Sequence, residues 1–442
     1  MVLFLKFKLI IMLNSEQLLH FIWMNKLYNT DSLKTEDGVK VEVIDPGVQN
    51  ENAGPDFFNS KIKVGGKVWA GNIEIHRVSS DWLRHGHHKD KAFNSVILHI
   101  AEKIDTEIFN ENGQKVDQLK LKVSDHLRNS AEYLINNRYK PACLNFLSHI
   151  PKVKLIGWMS YLTIDRLERK SNDINNHLKR LNNSWDDVFY IILSRNYGFG
   201  INSDEFERLA LSLPYKYIQK HCDNLFQIEA MMFGQAGLLK NDREDEYYMK
   251  MKNEYSFLKS KYNLKGIEDC LLKKMRIRPK SFPELRIAQL AALLQKSGRL
   301  FSTILKMKDY SDFFNYLQVE PSEYWQTHSS FGITSAKSKK LLGAASLNIV
   351  LINTVVPMLF AYGKKISNQQ YCERAVEILE TIKPENNRIV REFVAAGIRA
   401  LNAADSQALI QLNREYCDKR KCFYCRIGYS LLSTDSFNCK MV

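Results

Sequence analysis

Val39, Val41 and Val43 alternate with Lys40 and Glu42, a period of two that predicts a half-buried strand ending at Pro46-Gly47. Phe57 to Val64 and Lys67 to His76 read as two further strands joined around Gly65-Gly66, a hairpin signal. Val96, Leu98 and Ile100 alternate with Ile97 and His99 and predict another strand. A helix is expected ahead of these, from about Ser15 to Leu27, with Leu18, Leu19, Ile22 and Trp23 on its apolar side. From about residue 150 the apolar period lengthens to that of helices. Amphipathic stretches run over Leu155–Lys170, Trp185–Ser194, Ser203–Leu213, Leu225–Leu239, Phe282–Lys296, Phe301–Met307 and Arg388–Leu401. Gly198-Phe199-Gly200, Leu213-Pro214 and Pro384 punctuate them. The expected class is α+β: an N-terminal α/β unit over 15–145, then a larger all-helical domain over 150–442 that carries a cysteine cluster.

Chemistry concentrates around the hairpin. Asp56 follows Gly54-Pro55, and Glu74 and His76 lie on the next strand, sharing a face with Asn72 because side chains alternate. Whether Asp56 joins that face depends on the turn. A three-residue loop over 65–67 pairs Val64 with Val68 and sets Asp56 opposite His76, whereas a two-residue loop sends Asp56 to the other face. The first matches β-branched residues across the strands and is the preferred expectation. Two carboxylates at one end of a hairpin suit a Mg²⁺ or Mn²⁺ ion, because oxygen ligands hold hard cations. His76, His85, His87, His88 and His99 fall within one short stretch, with Asp81-Trp82 and Asp90 among them. Such a cluster is either solvated imidazole or the lining of a pocket.

The elements around Pro55, Asp56, Glu74 and His76 resemble the PD-(D/E)XK nuclease superfamily, whose core is a helix, a three-stranded meander, a helix and a further strand. The resemblance implies that Asp56 and Glu74 hold the metal, that Glu16 on the preceding helix contributes an acid, and that His76 stands where a lysine is usual. Neutral histidine serves better there as ligand or proton acceptor than as a fixed cation. Over nearly the whole chain the sequence also resembles the bacterial family called domain of unknown function 2851. The matching runs include Gly54-Pro55-Asp56-Phe57, Gly71 to His76, Ser80-Asp81-Trp82, Phe233 to Leu239, Arg278-Pro279, Arg286 to Gln289, Asn353 to Pro357 and Cys422 to Gly428.

The chain has 442 residues and 63 Lys plus Arg against 49 Asp plus Glu, a net charge of +14. That surplus favours a polyanionic partner, expected to be nucleic acid and DNA in particular, with Arg276, Arg278 and Arg286 in the binding surface. No small-residue cleavage site follows the apolar run Met1–Leu13, so a secretory signal is not expected. Leu341 to Gly363 is uncharged, but Asn348, Asn353, Thr354 and Pro357 favour a buried helix, broken before the proline, over a membrane span. A cytoplasmic location is expected. Among eight cysteines, Cys222, Cys270 and Cys372 sit singly in helical contexts. Cys417, Cys422 and Cys425 have the C-x4-C-x2-C spacing of a zinc or iron–sulfur site that needs a fourth ligand. Cys143, Cys439 or a histidine would supply it, or the three are reduced thiols without metal.

These readings lead to one expectation and two competitors. The expectation is Mg²⁺- or Mn²⁺-dependent phosphodiester hydrolysis by Asp56, Glu74 and His76, in a pocket lined by Glu16, Asn72, His85, His87, Asp90 and His99. The first competitor is a non-catalytic protein that binds nucleic acid or a partner on a relic nuclease fold. The second is a metallohydrolase in which His76, His85, His87 and Asp90 hold a transition metal.

Overall fold

The computed structural model describes residues 16–137, 141–267, 272–296 and 298–434. The readings placed on Met1–Leu13, Cys270 and Cys439 lie outside the described residues. The chain divides into two compact units. One holds the residues up to Trp158 with Glu392–Ile398 and those from Gln411 onward, and the other holds Met159–Arg391 and Arg399–Ile410. The cysteine segment Cys417–Cys425 therefore belongs with the N-terminal α/β unit, not with the helical domain to which its position along the chain assigned it.

In the first unit, helical residues 16–24 (α1) bury Leu18, Leu19, Phe21, Ile22 and Trp23. The described sheet has six strands: β1 (Val41–Asp45), β2 (Val48–Gln49), β3 (Phe57–Val64), β4 (Lys67–Val78), β5 (Val96–Lys103) and β6 (Gln118–Lys120), ordered β1-β3-β4-β5-β6 with β2 beside β3. β1, β3 and β4 form an antiparallel meander, and β4, β5 and β6 run parallel. A short helix α2 (Asp81–Arg84) and two single turns occupy the crossover from β4 to β5. Helix α3 (Asp125–Asn136) follows β6, its first turn capped by the Ser124 hydroxyl. Strand β4 is exposed at its start, but Ile73, Glu74, Ile75 and His76 are all buried, the pattern of a strand covered on both faces.

The hairpin corrects the expected register. Val64 pairs with Lys67, so the loop is the two residues Gly65 and Gly66. Their φ values of +56° and +88° suit a type I′ turn, whose twist matches the strands. Alone, that register would send Asp56 away from Glu74. A β-bulge reverses the outcome: Ser60 opposes Gly71 but Phe57 opposes Ile73, so Phe58 and Asn59 share one partner position. Asn59 takes a left-handed conformation (φ +58°), which asparagine tolerates. Its N–H donates to Asn72 Oδ1 (3.3 Å), and Asn72 Nδ2 donates to Ser95 Oγ (2.8 Å). Asp56 thereby falls opposite Glu74.

The second unit is largely helical around one core built from helices such as Trp185–Tyr197, Leu225–Gln235 and Pro283–Gln295. It is not all-helical: His328–Ser330 pairs with Ile333–Thr334. The apolar segment Ala344–Lys365 is mostly buried there. The helix is not broken before Pro357, because a wider π turn over Leu351–Val355 leads into Val356–Lys365 and admits the ring. Its polar groups find partners inside this unit: Asn348 accepts from Tyr310, and Asn353 and Thr354 meet Asn196 and Arg166.

Candidate metal centre

Strand β4 points Glu74 and His76 to one side, and the parallel register sets His99 of β5 beside Glu74. The chain leaving α2 brings in His85, at the helix end, and His87, in the following turn. Their ligand atoms converge. Among the described residues, His76, His85 and His87 each bring a ligand atom within 4.8 Å of the others. His76 Nε2 lies 3.2 Å from His85 Nδ1 and 3.4 Å from Glu74 Oε1, and His87 Nε2 lies 3.1 Å from the same oxygen. Metal–ligand bonds of ~2.0–2.1 Å at tetrahedral angles put neighbouring ligand atoms about 3.3 Å apart. The three imidazoles gather as a first-row divalent metal requires, and Glu74 reaches two of them, His76 and His87, at that spacing.

Surrounding groups hold this arrangement. His76 Nδ1 shares a hydrogen bond with His99 Nε2 (2.9 Å), leaving Nε2 to face Glu74, the usual way an outer partner orients a metal-binding imidazole. Phe93 stacks on His87 at 3.8 Å between centroids, and Trp82 packs edge-on against His87 and His99. Asp56 ties the hairpin to the site in two ways. Its N–H donates to Glu74 Oε2 (3.0 Å), and its Oδ2 accepts from Ile75 N–H (2.8 Å). His20 on α1 comes within 3.3 Å of that same Oδ2.

Electrostatics follow from burial. Burial, then Asp56, raises Glu74 to about 9. Burial, then the imidazoles of His99, His87 and His85, pushes His76 down to about 2, and burial lowers His99 to about 4. Burial also lowers His85 and His87. His20 goes the other way: burial lowers it, but Asp56, Glu16 and Glu74 outweigh that and raise it. Glu16 is raised by burial and then by Asp56. His87 Nε2 is buried and makes no hydrogen bond, despite its closeness to Glu74. Several neutral imidazoles beside a carboxylate, one with an orphaned nitrogen, form a donor set that fits a divalent cation and favours a transition metal over Mg²⁺.

Of the residues singled out in the sequence, Asp56, Glu74, His76, His85, His87, His99 and Glu16 gather here. Two do not. Asp90 is exposed and its carboxylate caps the next turn by accepting from Ala92 N–H (2.9 Å), while Asn72 holds the bulge. His20 was missed, although its i,i+4 spacing from Glu16 puts both on one helical face.

Two other predicted groups also come together, each within its own unit. Cys143, Cys417, Cys422 and Cys425 line one cavity of the first unit. Arg276, Arg278 and Arg286 line a cavity of about 320 Å³ in the second. Arg286 is buried, lies over the Phe199 ring at 4.4 Å and bonds Gln289 and Ser281, and its Nε has no partner. Burial lowers its pKa to about 10.

A family model described as "Protein of unknown function (DUF2851)" matches residues 16–388. The searches of curated proteins and of solved structures found no match.

Proposed function

We propose that this chain, which belongs to the DUF2851 family, is a hydrolase that uses a divalent transition metal to cut phosphodiester bonds, with DNA as the expected substrate. The observation that carries the reading is the convergence of His76, His85 and His87, with Glu74 3.1–3.4 Å from two of them and Asp56 bonded against Glu74. The three imidazoles would hold the cation, with Glu74 beside His76 and His87. When bound, a divalent cation supplies a water of lowered pKa and polarises a phosphoryl oxygen.

The rest falls to the protein's own groups. His76 is kept neutral, so it serves as a ligand and not as the cation that the lysine of PD-(D/E)XK enzymes provides. Asp56, held by the Ile75 N–H and His20, is the acceptor placed to take a proton from an attacking water. His20, whose protonated form the neighbouring acids favour, offers positive charge to a phosphate. Trp82 and Phe93 cover His87, and Trp82 also covers His99, while His85 stays open to solvent. A nuclease-like core is supported by the order of elements: helix α1, the antiparallel meander and the parallel strand β5. A phosphate-rich substrate is supported by the net charge of +14 and by the arginine-lined cavity of the second unit.

The test is cleavage of single- and double-stranded DNA and of RNA by the full chain with Mg²⁺, Mn²⁺ or Zn²⁺, alongside Asp56→Ala and Glu74→Ala. Metal-dependent cleavage by the wild type, lost in both variants, is expected. Nucleic-acid binding without cleavage under every metal would overturn hydrolysis in favour of a pure binding protein.

A further inference from the structure

The four thiols at Cys143, Cys417, Cys422 and Cys425 come from distant parts of the sequence, yet they surround one cavity with Leu134 and Ile135. Cys143 follows α3, Cys417 ends the π turn Leu412–Cys417, Cys422 opens a single turn, and Cys425 precedes helix Arg426–Leu432. None forms a disulfide. The sequence spacing left the fourth ligand open among Cys143, Cys439 and a histidine. In the fold Cys143 takes the position, and among the described residues no histidine lines the cavity. The three clustered cysteines lie beyond the residues that the family model matches.

We infer that these four cysteines hold an iron–sulfur cluster. One observation separates that from a zinc ion, and two more separate it from ordinary core thiols. A tetrahedral Zn–S₄ site with bonds of ~2.3 Å puts its sulfurs about 3.8 Å apart. Among the described residues, the trio brought within 4.8 Å of one another is His76, His85 and His87, and no three of these sulfurs meet that limit. A cubane spreads its thiolates over separate irons and tolerates wider spacing. The second observation is space. The cavity measures about 30 Å³, against the ~10–15 Å³ that one water needs, whereas well-packed thiols would close it.

The third is the surroundings of the sulfurs. Burial pushes the Cys422 and Cys425 thiols up; acting against it, the Gly428 and Ile427 N–H groups donate to Cys425, and Arg420 near Cys422 favours its thiolate. Such N–H···S bonds and nearby positive charge suit a cluster whose net charge is negative. Gly428 is required by this geometry, because a Cβ there would meet the Cys422 carbonyl oxygen at 2.1 Å. Assembly of the dithionite-reducible state takes two ferrous ions, two ferric ions and four sulfides, and the four cysteines lose their thiol protons to become ligands. The cluster would staple residues 417–425 to the segment that follows α3.

The test is anaerobic purification of the full chain, followed by reconstitution with ferrous and ferric iron and sulfide. About four irons and four acid-labile sulfides per chain are expected, with a broad visible absorption bleached by dithionite. Cys143→Ala and Cys425→Ala should lose most of the iron, and Cys222→Ala should retain it. Stoichiometric zinc without sulfide, or neither metal after reconstitution, would overturn the assignment. The wild-type content decides the matter even if a cysteine variant fails to fold. Because iron and sulfide are counted without any cleavage assay, the result stands apart from that at Asp56 and Glu74.

Discussion

The bulge at Asn59 makes a sharp claim: one surplus residue, and not the hairpin turn, sets Asp56 beside Glu74. Three variants separate the two causes. Asn59→Val places a β-branched residue at φ +58°, where left-handed backbone costs an L-residue about 1–2 kcal/mol, or roughly 5- to 30-fold in population. The strained strand can relieve itself by straightening, which carries the Ser60–Gly71 register onward and turns Asp56 opposite Ile75. Asn59→Gly removes the strain. Deleting Asn59 removes the surplus residue itself but leaves Phe57 opposite Ile73 and Asp56 opposite Glu74. Titration of the full chain with Zn²⁺ by calorimetry reads the result, because the Asp56 N–H orients Glu74. Asn59→Gly and the deletion should keep the wild-type affinity within about twofold, and Asn59→Val should weaken it by roughly 5- to 30-fold. If the deletion abolishes Zn²⁺ uptake while Asn59→Val preserves it, the reasoning is wrong.

Further outcomes follow from other sites. Burial raises Glu229 to about 7 from an ordinary value of 4.5. Its folded form holds the proton more tightly, so no penalty exists below pH 4.5, and one of up to about 3 kcal/mol develops as pH rises through 7. Glu229→Gln should therefore raise the melting temperature at pH 8 more than at pH 5; equal shifts would refute the burial argument. Gly428→Ala should lower the iron content and destabilise the first unit by about 1–3 kcal/mol through overpacking, measured by thermal unfolding. Arg286→Gln should weaken oligonucleotide binding and reduce the slope of log affinity against log salt by about one, read by fluorescence anisotropy. An unchanged slope would remove that cavity from the binding surface.

Four of the six described sheet strands, the acids and the histidine cluster were legible in the sequence because alternation and spacing are local signals, whereas the short β2 and β6 carry too few residues to show a period. The β3 range predicted over Phe57–Val64 is the one observed, and the apolar side of α1 is buried as its periodicity indicates. The register was not legible. It turns on Asn59 and Asn72 exchanging a hydrogen bond across two strands, and neither residue announces this alone. Asp90 misled for a related reason: an aspartate near histidines looks like a ligand, but its carboxylate is taken by the N–H of its own turn. Cys143 could not be chosen over other fourth ligands by spacing, since its partners return from the far end of the sequence. The same return moved the unit boundary, because helical periodicity runs on past residue 411 without marking the change of unit.

That interleaving has a consequence for biosynthesis. About 250 residues separate Trp158 from Gln411, so at 5–20 residues per second the ribosome takes roughly 10–50 s to bridge them. During that interval the nascent N-terminal sheet must wait, with Cys143 exposed to solvent and its three companions still unmade. An intervening helical body that matures first, followed by late closure of the sulfur-lined chamber, is the order that such nesting dictates.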